Sequence, residues 1–124
     1  MEHRRHFTLA QANALRPWVT ERVQRLRAAR EELALSDAGS IAPVAAATGG
    51  SWAGRRHAQA AVTLLLTLEE LDRLDVVVRD LDRGLVDFPA LREGEEVYLC
   101  WLVGEPEVTH WHALEAGFLG RRPL

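Results

Sequence analysis

The stretch Leu64-Leu65-Leu66-Thr67-Leu68-Glu69-Glu70-Leu71-Asp72-Arg73-Leu74-Asp75-Val76-Val77-Val78-Arg79-Asp80 decides the fold. Up to Leu74 it is rich in helix formers that carry no branch at Cβ, and at Val76 it turns β-branched. A helix over residues 55–74 therefore ends near Asp75. The centre of that helix, residues 58–68, is apolar nearly all round, which suits burial on several sides. A helix pair and a small sheet cannot cover it, so a second copy is expected to pack there in an isologous homodimer. Beyond Asp75, Val76 to Val78 reads as a short strand and Asp80 to Gly84 as a turn, with Gly84 free to adopt positive φ. Leu85 to Phe88 reads as a strand ended by Pro89, and Arg92 to Glu95 as the next turn. Glu96 to Val103 is the strongest strand. A turn at Gly104 to Glu107 leads to a last strand from Val108 to about Leu114. The connections are too short for crossovers, so these four strands form an antiparallel meander.

Working toward the N-terminus, Thr8-Leu9-Ala10-Gln11 has the form of a capping box, in which Thr8 and Gln11 satisfy each other's backbone N–H groups. It opens a helix over residues 9–34, with Leu9, Ala12, Val19, Val23, Leu26 and Leu33 on one stripe. Pro17 lacks an N–H and clashes with the carbonyl four residues back, so a kink near Asn13 or a restart near Arg16 is expected. Residues 36–54, rich in Ala, Gly and Ser, break every period and read as a flexible connector. Trp52 within it suits either a plain connector or a docking segment. The fold class that follows is α+β: a long antiparallel helical hairpin, then a small antiparallel β-meander, in one domain over residues 1–124.

At 124 residues the chain has room for one core but not for a second, cofactor-binding domain. Apolar residues make up 48% and charged residues 27%, which is ordinary for a globular chain rather than a disordered one. No apolar run is long enough to cross a membrane, and Met1 to His6 is polar rather than an apolar leader. All 15 basic residues are Arg, which excludes Schiff-base and P-loop chemistry, since both need a lysine. The single Cys100 excludes an internal disulfide and a multi-Cys zinc site, and it suits a reducing cytoplasm. Residues 1–60 hold 9 Arg against 5 acids, and residues 61–124 hold 6 Arg against 13 acids. The basic excess of the first half is small and unclustered, which disfavours nucleic acid as a partner. No nucleotide-binding or common hydrolase signature occurs.

The chemistry-bearing residues gather in the last forty positions. If the Gly104–Glu107 turn is a four-residue hairpin loop, Trp101 pairs with His110 and Leu99 with His112. Alternation then puts both histidines on the face of Trp101, and Cys100, Trp111 and Tyr98 on the other. His110-Trp111-His112 places two imidazoles on one side of a strand, an arrangement that suits a divalent transition metal. Glu105, Glu107, Asp87 and Glu115 are the candidate further ligands. His3 and His6, near the N-terminus, are weaker candidates. Asp80-x-Asp82-x-Gly84 lacks the full calcium-loop spacing and reads as a turn. Cys100 between Leu99 and Trp101 reads as a small core residue, since a nucleophile needs a base beside it.

The run Gly84-Leu85-Val86-Asp87-Phe88-Pro89, then Val97-Tyr98-Leu99-Cys100-Trp101, Gly104-Glu105, Trp111-His112, Gly117-Phe118 and Gly120-Arg121 resembles a prokaryotic family known as domain of unknown function 2203. Phe7-Thr8-Leu9 with Ala12, Asn13 and Pro17 is similar to that family's N-terminal helix. The resemblance implies no established activity. It draws attention to Asp87, Cys100, Trp101, Glu105, Trp111, His112 and Arg121, and His110 departs from the pattern. Two readings follow. In the first, the sheet carries a ligand- or metal-binding site: His112, Glu105 and Asp87 for a metal, Arg121 for an anion, Trp101 or Trp111 as a wall. In the second, the chain is a non-catalytic homodimeric module and the same polar residues are a structural network.

Overall fold

The computed structural model describes residues 2–38 and 52–124 of the chain. The elements run α1 (Leu9–Ala38), α2 (Trp52–Arg73), β1 (Val77–Asp80), β2 (Leu85–Arg92), β3 (Glu95–Leu102), β4 (His110–Ala113), a 3₁₀ turn (Phe118–Gly120) and β5 (Arg122–Pro123). This is the α+β class expected, with two helices before an antiparallel sheet in the order β1-β2-β3-β4-β5. Among the described residues the sheet has five strands rather than the four expected. β5 is only two residues long, pairing Pro123 with His110 and Arg122 with Trp111, and so short a strand leaves no period to read. The helices claim both ends of the expected connector, and the rest of it lies outside the described residues, as does the side chain of Trp52.

The chain divides into two compact units, residues 24–70 and residues 1–23 with 71–124. In the first, α1 and α2 run as a hairpin joined by an ion pair of 2.8 Å between Arg56 and Glu32. Leu26, Ala29, Ala60 and Thr67 are buried there, and the Thr67 hydroxyl donates to the Thr63 carbonyl. Val62, Leu65, Leu66 and Leu68 are exposed, while Leu64 is half-buried.

The second unit holds the N-terminal turns of α1 and the sheet. The capping box forms as expected: Thr8 N–H donates to Gln11 Oε1 at 2.9 Å and Gln11 N–H to Thr8 Oγ1 at 3.1 Å. Pro17 sits inside α1 without ending it. The change of period at Asp75 is a Schellman closure. Val76 N–H bonds to the Leu71 carbonyl, Asp75 N–H bonds to the Asp72 carbonyl, and Asp75 itself takes φ 59°. Aspartate tolerates this left-handed region better than most residues. Its carboxylate is engaged by the Arg5 N–H at 3.0 Å.

Pro89 does not end β2, which continues to Arg92 and pairs with β3 throughout. The proline is tolerated because β1 pairs no further than Asp87, so that edge of β2 requires no N–H at position 89. The Pro89 carbonyl on this edge accepts from Phe7 N–H at 2.7 Å. The register of β3 with β4 is Tyr98 with His112, Leu99 with Trp111 and Cys100 with His110, one residue away from the expected pairing. The loop before β4 is longer than a four-residue hairpin because its ladder groups are spent elsewhere. Leu102 N–H donates to Glu105 Oε1 at 2.8 Å, and Val108 N–H to Asn13 Oδ1 at 2.8 Å. A slip of one residue reverses the faces. One face carries Asp87, Pro89, Tyr98, Cys100, His110 and His112. The other carries Val86, Phe88, Leu99, Trp101 and Trp111. On the latter, Phe88 meets Phe7 edge-on with ring centroids 5.4 Å apart.

Candidate functional site

The corrected register brings Asp87 of β2, Cys100 of β3 and His112 of β4 side by side. All three are buried, and one donor atom from each lies within 4.8 Å of the other two. Asp87 and Cys100 are direct partners in the ladder, and His112 stands one strand over. The residue order explains the juxtaposition: three successive antiparallel strands each offer one short polar side chain to the same face.

His112 is held at both nitrogens. Nδ1 lies 2.7 Å from the Ala113 carbonyl. A carbonyl only accepts, so Nδ1 carries the proton and Nε2 is the nitrogen turned to Asp87 Oδ1, at 3.0 Å. The second Asp87 oxygen receives Arg79 Nε at 2.8 Å. Arg79 reaches it from the point where the register of β1 shifts between Val78 and Asp80. Burial lowers the Arg79 pKa, but the hydrogen bond and charge of Asp87 outweigh it and hold the guanidinium above its ordinary value. Arg79 also covers the Tyr98 ring at 4.7 Å, and burial pushes the Tyr98 phenol up.

Burial pushes the Cys100 thiol up to about 11, the Asp87 charge adds to that, and Arg121 opposes it. Cys100 is thus a protonated thiol at neutral pH, not a free nucleophile. Sequence reasoning placed Cys100 on the face opposite His112, and only the true pairing of β3 with β4 unites them.

The remaining candidates are distributed around this cluster. Glu105 is in the turn after β3, where it accepts from Leu102 N–H and from Arg121 Nη2, the latter at 2.6 Å. Arg121 also points Nη2 at the Cys100 carbonyl, 3.5 Å away. Burial lowers the Arg121 pKa, yet its bond to Glu105 holds it above the ordinary value. Trp101 is in the core on the opposite face, donating Nε1–H to the Glu105 carbonyl at 3.0 Å. Trp111 is half-buried on that face, with the guanidiniums of Arg92 and Arg122 at 4.5 and 5.7 Å from its ring. Trp111, Arg121 and Arg122 line an open cleft of about 450 Å³ together with Glu95, Glu96 and Leu119. His110 bonds to the neighbouring Thr109 hydroxyl at 2.9 Å rather than joining His112. Glu107 and Glu115 are exposed.

Residues 5–124 match an uncharacterized conserved protein family, DUF2203. The chain belongs to this family. The match takes in every residue of the Asp87–Cys100–His112 cluster and its arginine neighbours. No curated protein and no solved structure matches the chain. Among the described residues, no helix is long and apolar enough to cross a membrane.

Proposed function

We propose that this DUF2203 chain is a metal-binding protein whose centre is Asp87, Cys100 and His112, taking a thiophilic divalent cation such as zinc. One observation carries the reading. His112 Nε2 and Asp87 Oδ1 face each other at 3.0 Å inside the protein, with Nδ1 already spent on the Ala113 carbonyl. Two lone-pair bearers at that separation need either a proton or a metal between them. An imidazole whose other nitrogen bonds a backbone carbonyl is oriented as a metal ligand. The cysteine sulfur supplies the third donor once a bound cation displaces its proton, and thiolate with imidazole and carboxylate suits zinc. Glu105 supports the centre through Arg121 rather than ligating, and the thiol suits a reducing cytoplasm. Metal analysis by mass spectrometry of the purified, untagged protein tests this. Stoichiometric metal lost in His112→Ala, with the variant destabilised only relative to the metal-loaded parent, is the expected result. Equal destabilisation with and without a chelator would sink it.

A specific observation favours a second role alongside or in place of the first. Val62 is 53% exposed, Leu65 66% and Leu66 55%, all on α2. A second copy of the chain, packed antiparallel on this helix, covers them in an isologous homodimer. Arg55 near one end then runs beside Glu69 and Glu70 near the other, so the helix is charge-complementary to its own reverse. If the proton rather than a metal joins His112 to Asp87, the cluster is the structural network of such a module.

A further inference from the structure

The residues before α1 form an arm laid along the sheet, and three of its polar contacts converge on one carboxylate. Glu96 Oε1 accepts from the Glu2 N–H at 3.0 Å, and Oε2 accepts from the His3 N–H at 3.3 Å. His6 Nε2 lies 2.7 Å from Oε2. The Glu96 side chain is only 5% exposed and that of His6 19%. The hydrogen bond from His6, with those from the two backbone N–H groups, holds the Glu96 carboxyl below its ordinary range despite burial. Among the described residues its one side-chain partner is an imidazole, which carries a counter-charge only when protonated. His3 stands beside it, its side chain 13% exposed, with Nε2 2.6 Å from the Tyr98 hydroxyl and Nδ1 3.6 Å from Asp75. Glu2, His3 and Glu96 bring one donor atom each within 4.8 Å of one another. The segment before α1 is thus drawn among imidazole and carboxylate donors.

We propose that Glu2, His3 and Glu96 form a second metal site, distinct from the Asp87 centre, which takes a divalent transition cation and staples the arm to β3. One imidazole and two carboxylates are a nitrogen–oxygen donor set with no sulfur, suited to zinc, nickel or cobalt. The cation takes the position among these three donors and gives the nearly covered Glu96 charge a permanent partner, while His6 stays on Glu96 Oε2 as a hydrogen-bond partner beside the site. The Asp87 centre includes a thiol and this one does not, so the two are chemically separable.

The test uses full-length Cys100→Ser protein, which lacks the sulfur of the first centre, titrated calorimetrically with zinc and followed in the visible with cobalt. The expected result is one equivalent of cation bound without a sulfur-to-cobalt charge-transfer band. Glu96→Gln and His3→Gln, each added to Cys100→Ser and each checked for folding by circular dichroism, should weaken it about tenfold or more. Should the Glu96 variant fail to fold, the His3 variant decides. No binding to Cys100→Ser, or binding left unchanged by a folded variant of either residue, overturns the proposal.

Discussion

The β-sheet and the second helix depart from the ordinary distribution of residues in opposite ways. On the sheet, Asp87 and His112 are buried polar groups. On α2, Val62, Leu65, Leu66 and Leu68 are apolar and exposed. Each departure opposes folding unless something compensates it. The sheet finds its compensation inside the chain: Arg79, the Ala113 carbonyl and the mutual contact of Asp87 and His112. Among the described residues the helix face has no such cover, and in the proposed homodimer a second copy would supply it. A buried polar cluster is informative about chemistry, and an exposed apolar stripe is informative about association.

The largest effect that separates the two regions is expected from Asp87→Ala. It leaves His112 and Arg79 facing a void with no carboxylate, and chemical denaturation should show a loss of about 3 kcal/mol or more. A loss below about 1 kcal/mol would mean that the buried cluster is no more demanding than a surface pair.

Alkaline pH should act on the same region. In the metal-free protein, Cys100 and Tyr98 are both held above their ordinary pKa values by burial. The unfolded chain therefore gives up these protons first, and stability present below pH 9 is lost as pH rises toward the Cys100 value of about 11. In step with this, alkylation of Cys100 should be slow in the native protein and fast in denaturant. Rapid labelling at neutral pH would break the assignment of a covered thiol.

A smaller change is expected at the start of α1, where Thr8→Ala removes the acceptor for the Gln11 N–H and should cost about 1 kcal/mol in thermal unfolding. The smallest effect on folding belongs to Leu65→Glu. Unfolding measured at low concentration should change by less than about 0.5 kcal/mol, yet sedimentation at micromolar concentration should show dimers lost. A parent protein that is already monomeric there would remove the asymmetry between sheet and helix altogether.

Much of this molecule was legible in the order of its residues. The capping box at Thr8, the change of period at Asp75, the left-handed Gly84 at φ 73° and the two-helix-then-meander plan all follow from local preferences. His112 and Asp87 stood out because ionisable groups in apolar strands need partners. What remained illegible depended on contacts between distant residues. Pro89 continues a strand because β1 stops pairing before it, and Pro17 stays within α1. Above all, the β3–β4 register depends on where Leu102 and Val108 send their N–H groups, to Glu105 and to Asn13. A hairpin read from its loop alone could not include Asn13, which lies 95 positions away from Val108. Because side chains alternate along a strand, that single residue of register decided which face His112 shares, and so whether Cys100 belongs to the site. The sequence by itself determined the kinds of element and the residues able to do chemistry, since those depend on neighbours in the chain. Tertiary structure alone decided which of those residues meet, since hydrogen bonds across long sequence separations set the register of the strands.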